Sequence, residues 1–266
     1  MPVARTHFFS DTLGFCVACD VVLPKLQRDD LSPLPVLWLL HGAYGDHSDW
    51  LYRTGLVRYV ERYRLAVVMP SAQNSCYVDM AHGGRYYTFI TQELPQKMRL
   101  FFRFSDQRAD NFIAGLSMGG MGSLMLGLAN ANQYAAIGCF SAGATLDGGG
   151  LRRSKRWALA FGNTPISGTY KDPFGSARRI LDEGLPRPHI YHVCGTEDFL
   201  LADARKTRDF FCALPDNPFD YTYLEAPGAH TWDFWDTHIQ GFLRFLRLPD
   251  SAARQDEHAQ PCKTCP

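Results

Sequence analysis

NFIAGLSMGG, residues Asn111 to Gly120, decides how the rest of the chain is read. An apolar run enters a serine, Ser117, boxed by Gly115 and Gly119. The run reads as a strand, and MGGMGSLMLGLAN from Met118 onward reads as a helix. A serine between a strand and a helix has the setting of a nucleophile elbow. That turn strains the serine backbone, so the residues two positions away on either side must be small to avoid clashes. The helix start then offers unpaired N–H groups and a positive dipole end to an oxyanion. The competing reading is a glycine-rich turn with an inert serine, and the pentapeptide alone does not separate the two.

The flanking sequence alternates short apolar runs with helical patterns. Strands are predicted at Phe15–Pro24, Pro35–Leu40, Leu65–Pro70, Asn111–Gly115, Ala136–Ser141, His189–Gly195 and Asp220–Ala226. Helical spacing is found in GLVRYVERY, YYTFITQELPQKM, LADARKTRDFFCAL and TWDFWDTHIQGFLRFLRL. This alternation predicts an α/β fold, a mostly parallel central sheet flanked by helices, as one domain over residues 1–248. Residues 142–188 contain DGGGLRRSKRW and GNTPISGTYKDPFGS. The segment is too long for a plain connection and too rich in Gly and Pro for one helix. It is predicted to be a small irregular, cap-like insertion over the top of the sheet. Residues 249–266 read as a mobile polar tail.

Composition narrows the function classes. The 266 residues are 46% hydrophobic, enough for a full core. Lys plus Arg and Asp plus Glu are both 27, a balance that argues against nucleic acid and against an anionic membrane surface. No apolar run of ~18 residues is present, and MPVARTHFFSDTLG lacks the apolar core of a signal peptide. A cytoplasmic protein acting on a small molecule is expected, with a homo-oligomer left open. Eight cysteines do not make a disulfide framework at this length. Cys16/Cys19 and Cys262/Cys265 have CxxC spacing, formally a four-cysteine zinc site. Residues three apart on a strand face opposite sides, however, and PCKTCP reads as a chain end. His41, Asp46, His47 and Asp49 match no standard ligand spacing, so no metal and no cofactor are expected.

A serine nucleophile needs a base, and the base an orienting acid. In a strand-elbow-helix context they follow in the order Ser, Asp/Glu, His, each after a later strand. HIYHVCGTEDFL ends a strand and delivers Glu197 and Asp198, between which the residues alone do not choose. YTYLEAPGAHTW delivers His230 between the last strand and the last helix. His192 lies inside a strand, His238 inside a helix and His258 in the tail. One oxyanion donor is the N–H of Met118, after the serine. The second is expected in HGAYG after an earlier strand, at Ala43 with Tyr44 close behind.

With these residues placed, the chain resembles the putative-esterase family of α/β-hydrolases. That group includes tributyrin esterases, esterase D-type S-formylglutathione hydrolases, feruloyl esterases and mycolyltransferases. The resemblance runs from about Phe9 to Leu248. It rests on LLHGAYGDHSDW, VVMPSAQNSCYVDM, YYTFITQELP, FIAGLSMGGMGSLMLGL, CGTEDFL and AHTWDFW. It implies Ser117 as nucleophile, Asp198 as acid, His230 as base, and Ala43 and Met118 as the oxyanion hole. It implies a serine carboxylesterase, with a thioesterase or an acyltransferase as alternatives and a non-catalytic binding protein as the remote one. Tyr44 stands where Ser or Gly is expected and predicts a narrowed acyl pocket. Tyr77 and Trp157 are further candidates for substrate contact. LRRSKRWALAF, with Arg152, Arg153, Lys155 and Arg156, offers little apolar area for a long groove. Short acyl esters, about two to six carbons, are therefore expected.

Overall fold

The chain opens on a hairpin. Strand β1 (Val3–Ser10) pairs antiparallel with β2 (Phe15–Val22) along its whole length. Sequence patterning begins the sheet only at Phe15. Residues 3–10 hide because their outward side chains, Arg5, His7 and Phe9, are exposed and mostly polar. Arg5 forks onto the buried Asp20 carboxylate with two bonds of 2.7 Å, which pairs a charge that β2 would otherwise bury alone. The computed structural model describes residues 1–26, 30–144 and 154–249. Arg152, Arg153, His258 and the Cys262/Cys265 pair, together with the expected polar tail beyond Pro249, lie outside the described residues.

The other described elements follow in chain order as β3 (Val36–Leu40), α1 (Asp49–Arg53), α2 (Leu56–Val60), β4 (Ala66–Pro70), α3 (Tyr86–Thr88), α4 (Leu94–Phe101), β5 (Asn111–Leu116), α5 (Met118–Ala129) and β6 (Ala136–Phe140). Then come α6 (Lys155–Phe161), α7 (Pro173–Asp182), β7 (His189–Gly195), α8 (Leu201–Cys212), β8 (Thr222–Ala226) and α9 (Trp232–Phe245). The sheet order is β1-β2-β4-β3-β5-β6-β7-β8. The β2–β4 pairing is antiparallel, and every pairing from β4 to β8 is parallel.

The near-continuous apolar strands are explained by cover on both faces. All five residues of β3 are buried, and alternate ones enter opposite cores. Val36, Trp38 and Leu40 pack with residues of α4, α5 and α7, whereas Leu37 and Leu39 pack with residues of α1, α2 and α9. The chain leaves β3 for β4 on one side and returns as β5 on the other. That reversal opens a crevice at the carboxyl ends of β3 and β5, where doubly wound sheets bind ligands.

Two helical readings need correction. YYTFITQELPQKM is read as one helix, but a π-turn over Phe89–Glu93 separates α3 from α4. Pro95, at the start of α4, has no N–H to continue an α-helical ladder, and the wider turn absorbs the missing donor. The segment after β6 is less irregular than its Gly and Pro content suggests. Beyond α6 it holds α7, whose buried Ala177 and Ile180 join the core beneath α5. Asp172 caps α7 through the Gly175 N–H at 2.9 Å, and Pro173 takes the first helical position. Among the described residues no helix is long and apolar enough to cross a membrane.

Candidate active site

Ser117 sits between β5 and α5 with φ 53° and ψ −117°, a conformation that costs a non-glycine residue about 1–3 kcal/mol. The backbone closes tightly around it. A Cβ at Gly115 would stand 2.5 Å from the Gly119 carbonyl oxygen, and one at Gly119 would stand 2.6 Å from that of His41. The Ser117 N–H donates to Phe140 O at 2.8 Å, which ties the elbow to β6. The spacing of the glycines is thus fixed by backbone meeting backbone.

The loops after β7 and β8 bring two more groups to this turn. His230 Nε2 lies 2.9 Å from Ser117 Oγ. His230 Nδ1 lies 3.0 and 2.9 Å from the two Asp198 carboxylate oxygens. An ionised carboxylate only accepts, so Nδ1 carries a proton, and in the neutral ring this leaves Nε2 as the acceptor facing the hydroxyl. Glu197, the alternative acid, is exposed. Burial alone would raise the Asp198 carboxyl. Hydrogen bonds from His230, the Leu200 N–H and the Ser141 hydroxyl outweigh it and hold Asp198 below the usual carboxylate range.

Sequence reasoning missed two residues that steady this pair. Ser141, buried just beyond β6 at φ 51°, accepts from Trp235 Nε1 at 2.9 Å. The edge of Trp235 meets the His230 ring at 5.0 Å between centroids. Sequence marks Ser141 only as the end of a strand and Trp235 only as an apolar position of α9.

The loop after β3 is held from behind. The Tyr77 hydroxyl donates to His41 O at 2.8 Å. The His41 imidazole bridges Gly42 O at 2.6 Å and the Ala72 N–H at 2.9 Å. Nε2 accepts there, so Nδ1 donates to the carbonyl and the ring is neutral. Burial pushes its ionisation below the usual histidine range. Among the described residues neither the Ala43 nor the Met118 N–H donates to a backbone acceptor outside helices and strands. Met118 opens α5, where an N–H has no partner within the helix.

These groups face a cleft of about 560 Å³. Ser117, His230, Ala43, Tyr44, Met118 and Trp157 all line it. Tyr77 does not, contrary to expectation. It is wholly buried and supports the His41 loop, while its neighbour Cys76 reaches the cleft with a thiol pushed up to about 11 by burial. Asp79 likewise serves the loop, accepting from the Thr88 N–H and hydroxyl at 2.9 and 2.7 Å. Tyr44 is 85% exposed, with the Arg156 guanidinium 5.5 Å over its ring. It frames the mouth of the cleft rather than filling an acyl pocket. Phe199, 72% exposed and 4.5 Å from the His230 ring, is an unanticipated wall of the cleft. No sequence signal marks it beyond its place next to Asp198. The side chains of His41, Asp46 and Asp49 serve the loop itself, and among the described residues no three His, Cys, Asp or Glu side chains gather as a metal site.

A hydroxyl bonded to a neutral imidazole, itself held by a buried carboxylate, can pass its proton to that imidazole while the oxygen attacks a carbonyl. Comparison with known proteins agrees with such chemistry. The family described as putative esterase matches residues 10–246. A protein named acetyl esterase from Caldicellulosiruptor saccharolyticus is 32% identical over 264 residues, covering 92% of this chain and 98% of its own. The solved Staphylococcus aureus fluorophosphonate-binding serine hydrolase FphF superposes with a TM-score of 0.84 at 29% identity, covering 92% of this chain and 98% of its own. The S. aureus S-formylglutathione hydrolase FrmB gives 0.80 at 29% identity, covering 92% and 99%.

Proposed function

The chain belongs to the putative-esterase family and is a carboxylic ester hydrolase of the serine type; we propose that it cleaves short-chain acyl esters through Ser117, His230 and Asp198. The observation that carries the proposal is the 2.9 Å contact between Ser117 Oγ and His230 Nε2 at the floor of the cleft. Ser117 Oγ attacks the ester carbonyl as His230 takes its proton. Asp198 fixes the His230 tautomer and stabilises the imidazolium. The Ala43 and Met118 N–H groups receive the oxyanion, each worth roughly 3 kcal/mol of barrier. The alkoxide leaves with the His230 proton, and water attacking in the same geometry releases the acid. One domain spanning residues 1–248 carries all of these groups. The likeness to an acetyl esterase supports a small acyl group. The likeness to an S-formylglutathione hydrolase supports a thioester as the second reading. Among the described residues six cysteines are free thiols, one of them in the cleft, which supports a reducing compartment such as the cytoplasm.

The test is turnover on p-nitrophenyl acetate, butyrate and hexanoate beside matched acyl thioesters. The account expects kcat/KM for esters to exceed that for thioesters of the same acyl group. The reverse order would move the assignment to thioester hydrolysis, and no turnover of either would remove it.

A further inference from the structure

A second recess of about 760 Å³ adjoins Trp157, with Phe161, Thr164 and Ile166 among its lining residues. Trp157 lines both spaces. We propose that the Trp157 indole is the partition between them and sets the acyl-length limit of the enzyme, so that a smaller residue there admits longer acyl chains into the second recess. The proposal rests on the esterase reading above.

Three observations support a partition made by a side chain rather than by a moving helix. First, the helix that carries Trp157 is capped at its start and tied to a neighbouring loop at its end. The Ser154 hydroxyl accepts from the Trp157 N–H at 3.2 Å. At the other end the Ala81 and His82 N–H groups each donate, at 2.9 Å, to Ala160 O and Leu159 O. Second, the indole is fixed in place. It is 8% exposed and stacks on Phe161 at 4.1 Å between centroids and 27° between planes. Trp157 and Phe161 are one helical turn apart, and both are turned inward. Together they form a wall of stacked rings. Third, the partition stands on the acyl side. The leaving-group oxygen must meet His230 Nε2 to take its proton, so the leaving group runs along the His230 wall. The rings against His230 are Phe199 and Trp235, and α6 supplies neither. We assign the acyl group, on another bond of the carbonyl carbon, to the side of the cleft that Trp157 lines.

The second recess suits the end of an alkyl chain. Phe161 and Ile166 give it an apolar floor, and Lys155 and Asn163 belong to its rim. Lys171, beside the Phe161 ring, is committed: Nζ donates to Thr164 Oγ1 at 2.7 Å and lies 6.0 Å over that ring. Each methylene that gains an apolar wall contributes about fourfold in binding. Two methylenes beyond hexanoate should therefore be worth about fifteenfold once the indole is gone.

The experiment compares wild type with Trp157→Ala and Trp157→Phe on p-nitrophenyl acetate, butyrate, hexanoate, octanoate and decanoate, all kept monomeric. A second series, acetates of alcohols with two to eight carbons, reads the leaving-group side. Wild type should peak at or before hexanoate. Trp157→Ala should raise the octanoate-to-acetate ratio of kcat/KM about fifteenfold, mostly through KM, without altering the relative order of the alcohols in the second series. Trp157→Phe, which keeps a ring on Phe161, should shift the ratio by less. A parallel loss at all acyl lengths in both variants would overturn the proposal and leave Trp157 a packing residue. A gain confined to the alcohol series would overturn the acyl-side assignment. If Trp157→Ala does not fold, by near-UV circular dichroism, the Trp157→Phe profile decides: no shift overturns the partition. Loss of ester turnover in wild type would instead contradict the esterase reading, so the two failures are told apart.

Discussion

Beneath Ser117 backbone packs on backbone; above it, one aromatic ring packs on another. The elbow closes on carbonyl oxygens that leave no room for a Cβ at Gly115 or Gly119. The α6 side of the cleft depends on Trp157 against Phe161 and on Arg156 over Tyr44. Backbone closure admits one residue type, so it is written into the sequence as glycine at fixed offsets. Ring packing admits several residues of similar volume, so composition hints at it without placing it. The first region holds the proposed nucleophile and has no space for added atoms. The second, on our proposal, selects what reaches that serine.

The comparison is broken most directly at the serine. Ser117→Ala should lower kcat/KM by about a thousandfold or more with an unchanged melting temperature. A variant keeping about a tenth of wild-type activity would mean that the elbow holds no nucleophile. Next in size is Gly119→Ala, whose Cβ meets carbonyl oxygens of His41 and Leu40 at 2.6 and 2.7 Å. We expect a loss of about 3 kcal/mol or more in stability, against near-neutral effects for alanine at exposed positions of α6. A Gly119→Ala protein that melts with wild type would refute backbone closure as the organising feature. Third, Tyr77→Phe removes the hydroxyl that holds His41 O and loosens the Ala43 loop from behind. Full loss of an oxyanion donor costs 10²–10³ in kcat, so a loosened one should cost about tenfold with KM little changed. An equal fall in stability with kcat intact would make Tyr77 a packing residue only.

The smallest expected effect lies far from the cleft. Glu93 closes the π-turn and accepts from Ser10 Oγ and from the Asp11 and Thr12 N–H groups at 2.7, 2.8 and 3.0 Å. Burial would raise its carboxyl, but these bonds prevail and hold it below the usual glutamate range. Its contribution to stability is therefore present above the unfolded value, about 4.3, and is lost as pH falls through the lower folded value. Melting temperature should drop more steeply from pH 5 to pH 3 in wild type than in Glu93→Gln. Parallel curves would remove Glu93 as a source of acid sensitivity.

Most of the sheet was legible because parallel strands buried on both faces are continuous apolar runs. β1 was not, since an edge strand shows alternation and its outward face is polar. α7 was hidden by KDPFG, read as turn chemistry. Asp172 followed by Pro173 is equally a helix start, and that signal would have found it. Within the candidate site, Ser117 and His230 were legible by their place after strands, and Asp198 over Glu197 through family resemblance. Ser141, Trp235, Phe199 and the true post of Tyr77 were not. Their positions depend on which side chains meet across the closed fold, and no local period records that.

The central claim is that Ser117 is a nucleophile activated by His230. Its most direct test is reaction with a fluorophosphonate, with the modified residue located by mass spectrometry. The account predicts one label per chain, on Ser117, absent from Ser117→Ala and slowed about a hundredfold or more in His230→Ala. A stoichiometric label on another residue, or undiminished labelling of Ser117 in His230→Ala, would contradict it.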